Sequence, residues 1–157
     1  MSAAPEHSVP SAPDDGGGVV GRFLAGRLDS ERWDHRAHLL VCHHLLAVEG
    51  GPAAALARLR PLIQAHNARV GLRTGRGYHE TITCYFIGAV DHAAVSVDGL
   101  MAVPTLARTA PGRHWSPTAL GSPEAAAGWV RPDRAPLPWV WPPADRPRPP
   151  DHRWESP

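Results

Sequence analysis

The sequence predicts an all-α fold, a single compact bundle of about five helices, and three observations carry that prediction. Apolar residues make up 43% of the chain but aromatic ones only 6%, with Ala supplying much of the rest, so helices packed through small side chains are favoured over a β-sandwich. Apolar positions recur at three- and four-residue spacing in several windows, whereas Val, Ile and Thr are too scattered for strands. Helix stops are written as glycine and proline, at Gly50-Gly51-Pro52 and in the segment GLRTGRG at 71–77.

Taken in order, residues 1–17 are mostly Pro, Ser, Ala, Asp and Gly, a composition that buries too little surface to offset its ordering entropy and predicts a disordered leader. A helical domain is expected over 18–138 and a Pro- and Trp-rich extended tail over 139–157. Within the domain, Val19, Val20, Phe23, Leu24 and Leu28 fit a short amphipathic helix stopped by Asp29-Ser30-Glu31. A second helix is predicted over 33–48. A third follows Pro52, which at a first-turn position loses no bond, and runs toward Asn67 with Leu56, Leu59, Leu62 and Ile63 inward. Pro61 is expected to kink or interrupt it.

A fourth helix is predicted over 78–99, where His79, Ile82, Phe86, Val90 and Ala93 share a stripe. The β-branched run TITCYFI admits a strand, but its length argues for helix. A weaker helix broken by Pro104 is expected over 100–112. Ser116-Pro117 and Ser122-Pro123 each resemble an N-cap followed by proline at N1. Beyond Arg131 the chain should be extended, with Trp139 and Trp141 able to dock on the domain.

Charge excludes some partners. Sixteen basic residues against fifteen acidic give +1 with His neutral, no field to attract nucleic acid or an anionic membrane. All basic residues are Arg and none is Lys, a bias expected of a GC-rich bacterial genome. Cys42 and Cys84 lie in apolar helical segments without C-x-x-C spacing and read as reduced core residues. The N-terminal residues lack a basic run followed by an apolar one, so a cytoplasmic protein is expected. A small-molecule substrate is the expected partner, and a homodimer the assembly considered.

One group of polar residues stands out. Short connections force antiparallel neighbours, so the N-terminal ends of the second and fourth helices should lie at one end of the bundle, with the C-terminal end of the third. That brings His35, His38, His79 and Glu80 together, with Asn67 nearby. H-x-x-H puts two imidazoles on adjacent turns of one face; a third imidazole and a carboxylate would complete a set suited to a divalent ion, Zn²⁺, Fe²⁺ or Mn²⁺. Helix N-termini oppose a cation, so Glu80 would supply the charge, as fourth ligand or as general base. Tyr78 is the accompanying catalytic candidate. Asn67 and Thr83 would line the pocket, and Arg73 and Arg76, in a Gly-rich loop before a helix, could hold an anionic substrate group. Taken singly, each residue also has a local reading: His35 and His38 bonded to backbone, His79 filling the core, Glu80 complementing a helix dipole.

The words WDHRAHL (33–39), GYHETIT (77–83) and SPEAAAGWVRPD (122–133) together resemble a family of small bacterial proteins of unknown function, with the pattern W-x-H-x-x-H-L, G-Y-H-E-T-x-T and S-P-x-A-R-x-x-W-V-x-P-D. The resemblance spans residues 20–138 and implies no particular reaction. This chain departs from the pattern where Ala127 or a neighbour replaces Arg, and in the Arg-rich loop before Gly77. The expectation is a small metal-dependent enzyme acting on a small organic substrate, in secondary metabolism. Two alternatives stand beside it: a metal-free His/Glu acid/base enzyme, or a non-catalytic module whose Trp-rich tail recruits a partner.

Overall fold

The computed structural model of the protein describes residues 16–72 and 77–143, and among these it is all-α, without strands. Residues 1–15 of the leader expected over 1–17, residues 144–157 of the tail expected over 139–157, and Arg73 and Arg76 lie outside the described residues, while residues 16 and 17 belong to a helix. Among the described residues there are six α-helices: α1 (Gly16–Leu24), α2 (His35–Glu49), α3 (Pro52–Arg69), α4 (Glu80–Ala93), and two short ones, α5 (Pro117–Leu120) and α6 (Pro123–Ala127). None of the described helices is long and apolar enough to cross a membrane.

Local chemistry sets most boundaries. Asp34 caps α2, its carboxylate accepting the Ala37 N–H at 2.8 Å, and Gly50 ends the helix in the left-handed region at φ 81°. Ser116 and Ser122 cap α5 and α6 through the N–H groups of Ala119 and Ala125, each with proline at the first helical position, as their Ser-Pro pairs predict. Helix α1 begins earlier than expected and stops at Leu24, where the chain turns through Gly26 at φ 68°.

Three expectations are corrected. Helix α3 runs on as one element through Pro61, which sits on its exposed face and does not interrupt it. The lost hydrogen bond is outweighed by the inward side, where Ala55, Leu59, Ile63 and His66 are buried. Helix α4 starts at Glu80 rather than residue 78 and ends at Ala93, with Ala94 adopting φ 50° and returning its N–H to Val90. The weaker helix over 100–112 is replaced by three 3₁₀ segments, Val97–Ala102, Pro104–Leu106 and Ala110–Arg113. Pro104 opens one and Pro111 interrupts the donors of another, so no α-helical ladder can run through.

Helix α2 is the centre of the bundle, packed against α1, α3 and α4, with α3 and α4 also in contact. Leu39, Val41, Leu45, Leu59 and Ile87 are almost completely buried there, each stabilising the fold by roughly 1.5–3 kcal/mol relative to exposure. The C-terminal segment closes the far side. Thr81 donates to the Gly128 carbonyl at 2.7 Å and accepts the Val130 N–H at 3.2 Å, while the Trp115 indole donates to the Val130 carbonyl. Trp139 then lies directly on Gly88: a Cβ there would come within 2.3 Å of its Nε1. Trp141 packs against Trp129. These tail tryptophans are spent on the domain itself.

Candidate functional site

Helix directions bring the first turns of α2 and α4 to one end, as the connections predict, but divide the predicted side chains between two cavities. A cavity of about 460 Å³ opens between the first turns of α2, the middle of α3 and the first turns of α4, lined by His35, His38, Leu59, Ile63, Tyr78, His79, Ile82, Thr83 and Phe86 among others. A larger one of about 880 Å³ lies on the other side of Gly77 and Tyr78, which line both; Arg60, Gln64, Asn67 and Glu80 belong to this second cavity. Glu80 and Asn67 are therefore separated from the histidines by the Gly77–Tyr78 wall.

The hydrogen bonds determine what each imidazole can offer. A main-chain carbonyl only accepts, so the ring nitrogen facing it must donate. His35 donates Nε2–H to the Leu106 carbonyl at 2.7 Å, and His38 donates Nδ1–H to the Asp34 carbonyl at 2.7 Å. Each ring keeps one further nitrogen, Nδ1 of His35 and Nε2 of His38, without a partner among the described residues. The His38 ring also lies against Trp33, with centroids 3.7 Å apart. Burial pushes the pKa of His38 down to about 4, against the opposing effect of its bond to the Asp34 carbonyl, so at neutral pH its Nε2 is an unprotonated acceptor.

His79 differs. It is the N-cap of α4, and its Nδ1 accepts the Ile82 N–H at 3.2 Å while its Nε2 donates to the Leu120 carbonyl at 2.7 Å. Both nitrogens are committed, and none is left to hold an ion. Glu80 is committed too. Its carboxylate takes a two-point bond from Arg60, at 3.0 Å from Nε and 2.5 Å from Nη2, the hydroxyl of Tyr78, and the thiol of Cys84 at 3.7 Å. Burial alone would raise the Glu80 pKa, but the Arg60 fork and the Tyr78 hydroxyl hold it below the usual carboxylate range. A carboxylate so stabilised is a poor base. Tyr78, in turn, lies half-buried beside that carboxylate, and burial together with its bond to Glu80 drives its pKa well above a phenol's ordinary value.

The expected set of His35, His38, His79 and Glu80 around one ion is thus not assembled in this structure: two members offer a nitrogen to the smaller cavity, one is a helix cap and one is an ion-paired carboxylate facing the larger. Among the described residues no three His, Cys, Asp or Glu side chains gather as a metal site. Thr83 lines the smaller cavity, but its hydroxyl returns to the His79 carbonyl at 2.8 Å. Asn67 is buried under Gly77, where a Cβ would approach its Nδ2 to 2.5 Å, and that nitrogen has no partner among the described residues. Two contributors have no sequence signal: Arg60, the partner of Glu80, and Arg108, which reaches the smaller cavity from an irregular segment. Cys42 is the exception, since it follows His38 by one helical turn and lines the same cavity; burial raises its thiol to about 12.

No family model matches this chain, and neither a curated protein nor a solved structure matches it.

Proposed function

We propose that this chain is a small acid/base enzyme that binds an organic substrate in the cavity between α2, α3 and α4 and moves a proton with His35 and His38. The observation that supports this reading is the pairing of two imidazoles, each fixed by one N–H on a main-chain carbonyl, with the second nitrogen left open. Such anchoring sets the tautomer and orientation of a base before substrate arrives. With its Nδ1–H anchored and its Nε2 open and unprotonated at neutral pH, His38 is the proton acceptor, of lowered basicity because its pKa is depressed, and His35 is its partner. His79 and the Arg60–Glu80–Tyr78 group act as positioning residues: they hold the start of α4, and with it Thr83 and Phe86, against the cavity.

A divalent ion would find only the open nitrogens of His35 and His38, because the nitrogens of His79 and the carboxylate of Glu80 are engaged elsewhere.

The test is proton exchange. In D₂O, a panel of small keto, carboxylic and amide compounds with acidic C–H bonds is followed by NMR. Wild-type protein should catalyse exchange in at least one compound class, with a loss of roughly 10²–10⁴-fold in His38→Gln. EDTA treatment should leave the rate unchanged. Equal rates in wild type, His35→Gln and His38→Gln would sink the reading, and loss with EDTA would favour the metal.

A further inference from the structure

The cavity's lining points beyond general acid/base chemistry to a class of substrate. Its body is apolar, formed by Trp33, Leu59, Ile63, Ile82 and Phe86, and its volume falls within the ~300–1,000 Å³ typical of small-molecule sites. One arginine, the exposed Arg108, joins this apolar lining among the described residues. Among the described residues it makes no hydrogen bond or ion pair. A guanidinium left open beside an apolar cavity is matched by a planar, singly charged acceptor, because a carboxylate can take two of its N–H groups at once.

The segment that carries Arg108 is not free to drift. Leu106, two residues before it, is buried at 1% exposure, and its carbonyl is the acceptor that fixes His35. Ala110, two residues after it, is buried as well. The contact that orients one imidazole therefore also sets where the guanidinium begins. The only acidic side chain lining the cavity among the described residues, Asp34, has its Oδ1 turned to the Ala37 N–H as the cap of α2.

We propose that the substrate is a small carboxylic acid with an apolar, ring-sized body, and that Arg108 binds its carboxylate while the body lies between Phe86 and Ile63, within reach of His35 and His38. This rests on the acid/base reading for its catalytic meaning but not for the binding it predicts. Arg108 is a specificity residue: it selects acids over their neutral isosteres.

The experiment uses the full chain and two probes of one shape, sodium phenylacetate and phenylacetamide, with affinities read by calorimetry or ligand-observed NMR. Phenylacetate should bind at least ~10-fold more tightly than the amide, and Arg108→Gln should remove that preference while leaving the amide unaffected; Arg108→Lys should restore part of it. Circular dichroism should show the same unfolding temperature in all three proteins, since Arg108 is exposed. Equal affinity for acid and amide, undiminished acid binding in Arg108→Gln, or no binding of either probe overturns the proposal. The two readings fail separately. Arg108-dependent binding of the acid, combined with proton exchange indifferent to His35→Gln and His38→Gln, would leave the carboxylate site standing and remove the acid/base role.

Discussion

The ring of His79 ties Leu120 to the first turn of α4: Nε2 donates to the Leu120 carbonyl at 2.7 Å while Nδ1 accepts the N–H of Ile82 in the same helix. One side chain thus caps a helix and fastens the end of α5 to it. His79→Ala should cost about 2 kcal/mol, the sum of a lost cap and a lost hydrogen bond. His79→Asn should recover about half, because Asn can cap but cannot also reach Leu120. Urea denaturation of the three proteins checks this; a His79→Ala variant as stable as wild type would contradict it.

Glu80 is held by Arg60 and Tyr78, and stability should report that grip. Glu80→Gln should destabilise the protein by roughly 1–2 kcal/mol at pH 7, since it takes the carboxylate from the Arg60 fork and the Tyr78 hydroxyl, with Arg60 itself partly screened by solvent. The pH dependence follows from the sign of the shift. The folded-state pKa is lowered, so the carboxylate's contribution is complete above its ordinary value of 4.5 and is lost as pH falls through the lower folded value. The stability gap between wild type and Glu80→Gln should therefore narrow below about pH 4.5. A gap independent of pH would mean the carboxylate is not held as described.

His38 has the same sign of linkage at a higher pH. Its pKa falls from 6.5 to about 4 on folding, so the unfolded chain takes up the proton first, and stability is lost as pH drops between those values. The loss should be on the order of 1–2 kcal/mol once solvent screening of this half-buried ring is allowed for. His38→Gln should flatten that part of the stability profile. An unchanged profile would place the ring in water.

Gly88 makes room for Trp139, whose Nε1 would lie 2.3 Å from an added Cβ. Gly88→Ala should push the indole off α4 and cost about 1–3 kcal/mol, with a red-shifted tryptophan fluorescence. In a Trp139→Ala background the same substitution should be close to neutral, or stabilising through better helix propensity. Additive effects of the two changes would show that the indole does not pack there.

The features legible in the sequence are those fixed by neighbours along the chain. Gly50 after an apolar run, and serine followed by proline at 116 and 122, each end or open a helix through groups three or four residues away, and each lies where the sequence predicts, whereas the cap at Asp34 falls inside the helix expected from residue 33. The meeting of α2 and α4 at one end was legible as well, from loop lengths alone. What was not legible turns on small offsets. Starting α4 at Glu80 instead of residue 78 moves His79 from the helix interior to the cap, where its ring folds back on its own N–H groups. The same offset places Glu80 in the first helical position, facing Arg60 on α3. That partner lies 20 residues away in sequence, and no spacing rule singles it out among the arginines of an Ala-rich helix. Arg108 is hidden for a similar reason, because it follows Pro104 in a segment without a period.

The central claim is that His35 and His38 each keep one nitrogen open to the cavity. A long-range ¹H–¹⁵N spectrum of imidazole-labelled protein at pH 7 tests it most directly. Assigned rings of His35 and His79 should carry their proton on Nε2, and His38 on Nδ1, with the His38 Nε2 resonance in the unprotonated range and moving when phenylacetate is added. A His38 ring protonated on both nitrogens at pH 7, or carrying its proton on Nε2, would contradict the account.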